Sequence, residues 1–402
     1  LIIVLKVKSK FERINRLPPY IFGEINSLKM KLRTEGRDII DFGMGNPDMP
    51  TPLHIRQKLK EVIDKPGVGR YSVSKGINGL RKAQAKYYKK RFNVDLNPSS
   101  EIIVTIGSKE GLANLAQAIT SRGDRILCPD PSYPVHPYGF MIAGAKLTPL
   151  RTFYNGQFDR NKFLSNIVNN LKKYSSIKVI IVSFPSNPTA QIVDLDFYKE
   201  LVKIAKKYQV YILSDLAYSE IYFGKNPPPS ILEVNGAKNI AVEFTTLSKT
   251  YAMAGWRIGF AVGNKTLIEA LTKIKSYVDY GAFTPVQVAA TAALNGSQKC
   301  VEEIRETYKK RRDVLIESFE RAGWDKIPEP EASMFVWAPL PKKYKKMGSM
   351  KFAKNLMINA DVAVAPGLAF GKGGEGFVRI GLVENTQRIR QAAKNIKRYF
   401  NN

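Results

Sequence analysis

The feature that most constrains this chain is Lys249, which lies between hydroxyl side chains in the segment 245–259. The apolar runs 239–244 and 258–262 on either side are predicted to be buried strands, with the lysine in a turn between them. Burial lowers the pKa of a lysine and exposes a nucleophilic amine. Because such amines form Schiff bases with aldehydes, the segment suggests a site for a carbonyl compound.

Three side chains near Lys249 could bind a phosphate group. Thr246 and Ser248 offer hydroxyls, and Arg257 offers a planar, charged guanidinium. An aldehyde that also carries a phosphate suggests pyridoxal phosphate. A solvated lysine in an ordinary surface loop explains this segment equally well, so the rest of the chain has to decide between the two interpretations.

The composition is that of a globular protein long enough for two domains, with 402 residues of which 44% are hydrophobic. Cys128 and Cys300 are the only cysteines and form no CxxC pair, which fits a reducing compartment. His54 and His136 are too few for a histidine-rich metal site. The apolar run Leu1–Leu5 is too short for a signal peptide or a membrane span. We therefore expect a cytoplasmic protein without a metal ion or a membrane partner.

The chain is strongly basic, with 63 Lys and Arg against 35 Asp and Glu and a formal charge of +28. Such an excess would suit a nucleic acid or an anionic membrane. The basic residues are scattered, however, and the densest groups are 309–312 and 342–346. The first group lies in a helical pattern, where a charged stripe is usually a solvated face. Because no RNA-recognition or zinc-finger signature is present, we expect a basic surface and no nucleic-acid partner.

Apolar runs that alternate with helical patterns predict an α/β fold. These runs are nearly continuous in apolar residues, as in strands of a parallel sheet covered on both faces. They occupy 102–106, 125–128, 146–150, 178–184 and 210–214.

After residue 293 the pattern changes to a long amphipathic helix and short strands. The strands are predicted at 324–327, 333–336, 362–364 and 377–381. This pattern predicts a smaller α+β domain. We place a large pyridoxal-phosphate-binding α/β domain at 47–292, and the small domain at 1–46 together with 293–402.

Polar side chains gather where the predicted strands end, and they are Ser108, Tyr133, Asn187, Asp215 and Tyr218. In an open α/β sheet, ligands bind at the carboxyl edge of the strands. Ser108 also follows a glycine and opens a helix, where free backbone N–H groups can bind a phosphate. A simple Ser-capped helix would have the same sequence. The convergence of these residues at one edge is stronger support for a ligand site than any single motif.

If pyridoxal phosphate is bound, these side chains acquire roles. Asp215 could face the pyridine nitrogen and keep it protonated, although a buried structural aspartate is the alternative. Asn187 and Tyr218 could donate to the cofactor's phenolate oxygen, and Tyr133 could stack on its ring. Arg379, on a late strand, could bind the α-carboxylate of an amino acid with both guanidinium nitrogens. A surface salt bridge is the alternative for this arginine.

Several motifs carry a resemblance to a known family: Pro131–Pro134, Ser186–Thr189, Ser214–Tyr218, Ser248–Thr250 with Gly255–Arg257, and Arg379–Gly381. With them, about the whole chain resembles the class I/II aminotransferases, the pyridoxal phosphate enzymes of the aspartate aminotransferase fold. The resemblance implies the type I fold of these transferases. That fold has a mostly parallel seven-stranded sheet flanked by helices, plus a smaller α+β domain.

The resemblance also implies roles for individual residues. Catalysis would involve Lys249, bonded covalently to pyridoxal 5'-phosphate, with Asp215 and Tyr218. The cofactor would contact Tyr71, Gly107, Ser108, Lys109, Tyr133, Asn187, Asp215, Tyr218, Thr246, Ser248, Lys249 and Arg257. The substrate would contact Tyr20, Gly43, Gly45, Asn187 and Arg379. Because Tyr71 would reach the cofactor of a neighbouring subunit, the resemblance implies a homodimer with shared active sites.

Within the family, the segments 41–48, 105–112 and 274–285 look like those of bacterial alanine aminotransferases. The expected reaction moves an amino group between an L-amino acid and a 2-oxo acid. It would follow a ping-pong cycle in which the cofactor alternates between pyridoxal and pyridoxamine phosphate. Alanine with pyruvate, and glutamate with 2-oxoglutarate, are the expected substrates.

One departure from the family bears on the substrate. Aspartate aminotransferases donate an arginine from the partner subunit to the distal carboxylate, but no arginine occurs here between Arg257 and Arg305. This argues against a strict dicarboxylate enzyme and leaves aspartate or LL-diaminopimelate aminotransferase as alternatives. A pyridoxal phosphate lyase and a non-catalytic regulator on the same fold are further alternatives. Lys109 could bind the distal carboxylate, or it could be a solvated residue at a helix start.

Overall fold

The computed structural model describes residues 11–154 and 157–401. The apolar run Leu1–Leu5 lies outside them. In the described ranges, no helix combines the length and the apolar character needed to cross a membrane.

The strands of the described residues are short and mostly buried. They are β1 Ile40–Asp41, β2 Ile102–Thr105, β3 Arg125–Asp130, β4 Lys146–Arg151, β5 Phe153–Tyr154, β6 Gln157–Phe158, β7 Ile177–Ser183, β8 Tyr211–Asp215, β9 Ala241–Thr246, β10 Gly259–Gly263, β11 Phe335–Pro339, β12 Val362–Ala363, β13 Ala365–Pro366 and β14 Phe377–Gly381.

The α-helices of the same residues separate most of these strands. They are α1 Glu12–Asn15, α2 Ile21–Thr34, α3 Leu53–Ile63, α4 Asn78–Phe92, α5 Ser108–Ile119, α6 Val135–Ala143, α7 Arg160–Lys173, α8 Leu195–Tyr208, α9 Leu247–Thr250, α10 Lys265–Val278, α11 Thr284–Asn295, α12 Lys299–Arg321, α13 Ser349–Ala360 and α14 Thr386–Asn401.

A seven-stranded sheet with the order β2-β10-β9-β8-β7-β3-β4 organises the molecule. The pairs from β9 to β4 are parallel, and only β10 runs antiparallel to its two neighbours, β2 and β9. The predicted α/β fold with a mostly parallel seven-stranded sheet is therefore confirmed. Ser183 pairs with Asp215, and Asp215 pairs with Phe244, so the carboxyl ends of β7, β8 and β9 meet at one edge.

The strands carry apolar residues on both faces because helices cover both faces. On β7, Ile180 belongs to the apolar cluster that includes Phe163 of α7 and Phe197 of α8. The next residue, Ile181, belongs to the cluster that includes Leu115 of α5. Successive side chains of a strand point to opposite faces, so a continuous apolar run is required here.

Helix starts in this layer follow local rules. The Asp194 side chain accepts a hydrogen bond of 2.8 Å from the N–H of Phe197 at the start of α8. Such a cap stabilises a protein by about 1 kcal/mol. The side chain of Asn264 caps α10 in the same way, through the N–H of Leu267 at 3.0 Å.

A separate apolar cluster joins the N-terminal segment to the C-terminal third. It contains Ile40 of β1, Phe319 of α12, Val336 of β11 and Ile389 of α14. Pairing of β1 with β12 brings the two ends of the chain together. This cluster supports a smaller domain built from both ends of the chain, and its boundaries stay a prediction.

Some sequence expectations about elements are wrong. The segment 324–327 is not a strand. Instead, the Trp324 ring stacks on Phe319 at 5.7 Å, and its Nε1 donates to the Pro339 carbonyl at 2.9 Å. The apolar side chains of segment 324–327 are buried by tertiary packing, and the segment does not pair with a strand. The sequence does not predict the helices α1, α6, α7 and α13.

The basic run 309–312 is only partly a solvated face. Arg311 and Arg312 are 7% and 6% exposed. Arg311 binds both oxygens of Asp48 at 2.6 and 2.7 Å, and Arg312 lies 2.7 Å from Glu329. The helical pattern alone could not distinguish these buried, paired arginines from a solvated stripe.

Candidate active site

Lys249 lies at the carboxyl edge of the central sheet, in the short helix α9 that directly follows β9. The Thr246 hydroxyl starts this helix by accepting a hydrogen bond from the N–H of Ser248 at 3.2 Å. The Lys249 amine donates a hydrogen bond of 2.6 Å to the carbonyl of Gly45. Strand, cap and helix thus hold the amine at the sheet edge, beside the Gly43–Asn46 loop.

Burial lowers the pKa of Lys249 to about 8, with further contributions from the charges of Arg379 and Arg257. A lysine with this pKa is neutral in about a tenth of molecules at pH 7, far more often than an ordinary lysine, and only the neutral amine is a nucleophile. The desolvation predicted from the flanking apolar runs is therefore present in the fold.

A cradle for an anion lies where β2 meets α5. Gly107 has a φ of +78°, and a Cβ at this position would lie 2.0 Å from a guanidinium nitrogen of Arg257. Arg257 itself is held by hydrogen bonds to the carbonyls of Ala254 at 2.7 Å and Ile106 at 3.3 Å. Helix α5 begins at Ser108, and the N–H groups of its first turn have no partner within the helix. Together with the Arg257 guanidinium, these N–H groups can bind a phosphate.

Asp215 ends β8 and is 6% exposed. One of its carboxylate oxygens lies 2.8 Å from Nε2 of His136, and the other accepts a hydrogen bond from the N–H of Ala217 at 3.3 Å. His136 is buried on α6, and its Nδ1 has no partner among the described residues. The His136 imidazole thereby fixes the orientation of the Asp215 carboxylate.

No sequence pattern singled out His136 as a site residue. The usable signal was its position three residues after Tyr133, because the two rings lie 5.7 Å apart edge to face. Its pairing with Asp215 spans 79 residues and depends on α6, which was not predicted.

Arg379 is buried at the centre of β14, between β11 and β13. Its guanidinium donates to Asn187 Oδ1 and to the Gly43 carbonyl, each at 2.9 Å. Its carbon centre lies 4.1 Å from the ring centroid of Phe335 and 4.7 Å from that of Phe370. The alternative of a surface salt bridge for this arginine is wrong.

Within the described ranges, Nε of Arg379 is buried without a hydrogen-bond partner. Burial lowers the pKa of this guanidinium to about 10, so it stays charged at neutral pH. A buried cation with an unused donor favours an anionic ligand, and a carboxylate matches its geometry.

Two tyrosines and the glycine loop complete the interior of the site. Nδ2 of Asn187 donates to the Tyr218 hydroxyl at 3.4 Å, and burial raises the pKa of that phenol well above its ordinary value. Burial also raises the pKa of Tyr133. A Cβ on Gly45 would lie 2.8 Å from the Phe335 ring, so only glycine lets this loop approach so closely.

Three predicted contact residues lie outside this interior. Tyr20 is 70% exposed, and Tyr71 is 84% exposed with its ring 4.5 Å from Tyr280. Lys109 is exposed on the first turn of α5. Their predicted roles toward cofactor and substrate stay predictions.

The groups at this edge fit pyridoxal phosphate. The partly neutral amine of Lys249 suits its aldehyde, and the cradle at Gly107 suits its phosphate. The carboxylate of Asp215 suits a protonated pyridine nitrogen, and the Tyr218 hydroxyl suits the phenolate oxygen. Within the described residues, no cluster of His, Cys, Asp and Glu could hold a metal ion.

Solved structures share this architecture. The substrate-bound structure of BacF from Bacillus subtilis superposes with a TM-score of 0.90 and 32% sequence identity, and the match covers 98% of both chains.

Proteins of similar sequence are aminotransferases over nearly their whole length. The putative aminotransferase AatC of Rhizobium meliloti is 54% identical, covering 97% of this chain and 95% of AatC. The glutamate-pyruvate aminotransferase AlaC of Escherichia coli is 51% identical, covering 97% and 94%. An LL-diaminopimelate aminotransferase of Aquifex aeolicus is 43% identical, covering 96% and 98%.

The family description "Aminotransferase class I and II" matches residues 37–396, which include each part of the site except Tyr20. The chain therefore belongs to the class I and II aminotransferases and is a pyridoxal-phosphate-dependent enzyme.

Proposed function

We propose that the protein is a glutamate-pyruvate aminotransferase, which transfers the amino group of alanine to 2-oxoglutarate and so forms pyruvate and glutamate. The buried guanidinium of Arg379, with its unpaired Nε, carries the proposal that the substrate is an amino acid or 2-oxo acid. The 51% identity to AlaC of Escherichia coli supports alanine and glutamate as the amino donors.

The proposed roles follow from position and charge. Arg379 binds the α-carboxylate and fixes the substrate's orientation. The α-amino group then faces the same edge as Lys249. When bound, pyridoxal phosphate supplies the electron sink for the electrons left at Cα. With the cofactor bound, the neutral Lys249 amine would accept the Cα proton as a general base and, once protonated, would serve as the general acid that gives the proton up again.

Asp215 contributes a fixed negative charge at the pyridine nitrogen. His136 keeps this carboxylate oriented through the 2.8 Å contact, so little reorganisation is needed during the reaction. Asn187 connects the proposed carboxylate-binding arginine to the tyrosine proposed to contact the cofactor. Its Oδ1 accepts a hydrogen bond from Arg379, and its Nδ2 donates one to the Tyr218 hydroxyl.

The second candidate is an LL-diaminopimelate aminotransferase. It is favoured by the 43% identity to the Aquifex aeolicus enzyme, which covers 98% of that protein. Both candidates are compatible with the absence of arginine between Arg257 and Arg305 in the sequence.

A panel of amino donors and 2-oxo acceptors tests the proposal. Loss of the visible absorbance of the lysine-bound cofactor, on addition of each donor without an acceptor, measures the first half-reaction. We expect alanine and glutamate to react fastest, and Lys249→Ala to lack the absorbance of the lysine-bound cofactor and to be inactive. A preference for LL-diaminopimelate would replace the first candidate by the second. A protein that transfers no amino group from any donor would contradict both.

We also propose that the protein is a homodimer with shared active sites. An exposed apolar surface supports this proposal, and we call it the aromatic surface: Tyr71, Val73, Tyr277, Val278, Tyr280 and Phe283. Monomeric proteins rarely expose contiguous apolar patches of this kind. Because Tyr71 lies within this surface, a second copy that binds here would contact Tyr71.

A cytoplasmic location is part of the proposal. Cys128 and Cys300 are both free thiols, as expected in a reducing compartment.

A further inference from the structure

Lys275 on α10 is fully buried, yet none of the roles above uses it. Its Nζ lies 3.0 Å from Oε1 of Glu110 and 2.8 Å from Oδ2 of Asp279. The exposed fraction of its side chain is 0%, against 24% and 18% for the two carboxylates. A buried ammonium is tolerated only when it is paired. These three side chains form an ion triad beneath the start of α5.

Glu110 connects the triad to the proposed phosphate cradle. Its Oε2 accepts a hydrogen bond of 2.7 Å from the N–H of Ile106. The Ile106 carbonyl accepts a hydrogen bond of 3.3 Å from Arg257. The backbone N–H and the carbonyl of Ile106 are therefore both hydrogen-bonded to side chains. These two bonds fix the backbone that leads into Gly107 and Ser108.

Asp279 anchors the other end of the triad. Its Oδ1 accepts a hydrogen bond of 2.6 Å from the N–H of Gly281, and its carbonyl accepts one of 2.5 Å from the Ser74 hydroxyl. The lysine is thus held by carboxylates from two different parts of the chain, and Glu110 also binds the side chain of Asn114.

We propose that Lys275 is a positioning residue for the cofactor's phosphate. It neutralises Glu110, whose negative charge in the first turn of α5 would otherwise oppose a phosphate dianion. Lys275 also holds the Glu110 carboxylate against the N–H of Ile106. This contact fixes the backbone conformation of the phosphate cradle. The inference rests on the proposed position of the phosphate at the start of α5.

The test compares two ligands that differ only in the phosphate. Apoenzyme is titrated with pyridoxal phosphate and with pyridoxal, and binding is followed by absorbance. In Lys275→Met we expect the affinity for pyridoxal phosphate to fall about tenfold and that for pyridoxal to change less than about threefold. Lys273→Met is the control, because Lys273 lies on the same helix and is exposed. Its affinities should match those of the wild type.

A second variant separates charge from packing. The double variant Lys275→Met/Glu110→Gln removes one positive and one negative charge, so the triad keeps the net charge of the wild type. The glutamine oxygen can still accept from the N–H of Ile106. We expect the affinity for pyridoxal phosphate to return to within about threefold of the wild type. An equal loss for both ligands in Lys275→Met, or no recovery in the double variant, would overturn the proposal.

Two further variants keep the test decisive. Glu110→Gln alone removes a negative charge, so it should tighten pyridoxal phosphate relative to pyridoxal even where Lys275→Met does not fold. An unchanged ratio in that variant contradicts the proposal. Arg257→Ala should lose most of the preference for the phosphate. If it does not, the phosphate lies elsewhere and the proposed site itself is wrong.

Discussion

At the scale of single residues, the site combines one amine that is easily neutralised with a guanidinium that stays charged. Burial brings the pKa of Lys249 to about 8 and that of Arg379 to about 10. Arg379 therefore remains a cation near neutral pH, as carboxylate binding requires. Lys249 changes its charge in the working pH range, as a nucleophile and proton carrier requires.

The rate at which apoenzyme captures pyridoxal phosphate should depend on this lysine pKa. Capture needs the neutral amine, whose fraction falls about tenfold for each pH unit below the pKa. The rate should therefore rise with pH and level off above about 8, whereas an ordinary lysine would level off above 10.5. Stopped-flow absorbance between pH 6 and pH 10 measures it. A rate that still climbs steeply at pH 9.5 would show that the amine is not desolvated in solution.

At the scale of elements, the start of α5 serves more than one group. Its first residue, Ser108, follows Gly107, whose φ of +78° turns the chain from β2 into the helix. Glu110 points back to the N–H of Ile106, while Lys109 points to solvent. The two neighbouring side chains therefore have different surroundings. Glu110 belongs to the ion triad, and Lys109 is exposed to solvent.

We expect Lys109→Gln to raise KM for glutamate and 2-oxoglutarate roughly ten- to hundredfold, the effect of one partly exposed charged hydrogen bond. A flexible lysine can stay hydrated when alanine occupies the site, whereas a fixed arginine would be left buried and unpaired. Steady-state kinetics with both substrate pairs measure the difference. An equal loss for alanine and pyruvate would mean that Lys109 serves the cofactor or the fold.

At the scale of the whole molecule, the ion triad connects the cradle to the chain segments that carry the aromatic surface. Asp279 of the triad binds Gly281 and Ser74, whose chain neighbours include Tyr280 and Val73 of that surface. Burying large exposed aromatic side chains stabilises an assembly through the hydrophobic effect. A dimer formed here would cover the surface and bring Tyr71 to the other subunit.

Mixed dimers test this arrangement. Neither Lys249→Ala nor Tyr71→Phe should be fully active alone. A mixed dimer should contain one intact site, with Lys249 from one subunit and Tyr71 from the other. Random mixing in equal amounts should then restore about a quarter of wild-type activity. Light scattering gives the assembly state. A monomer with full activity, or mixing without recovery, would contradict shared sites.

Local sequence patterns predicted much of this protein. The alternation of apolar runs with helices predicts the sheet, because strands covered on both faces must be apolar throughout. Asp215 ends a strand, Ser108, Asn187 and Lys249 each follow one, and parallel strands end at one edge. That rule brings these residues together without knowledge of any side-chain contact.

Only the tertiary structure decided the pairings between distant residues. The contact of His136 with Asp215 spans 79 residues, and that of Arg379 with Asn187 spans 192. The burial of Lys275 against Glu110 spans 165 residues. A buried ion pair and a solvated charge have the same local sequence, since the difference is made by elements that pack over them. The sequence by itself therefore determined the sheet and the residues at its carboxyl edge, Lys249 among them, whereas the tertiary structure determined which charges are buried and which are paired.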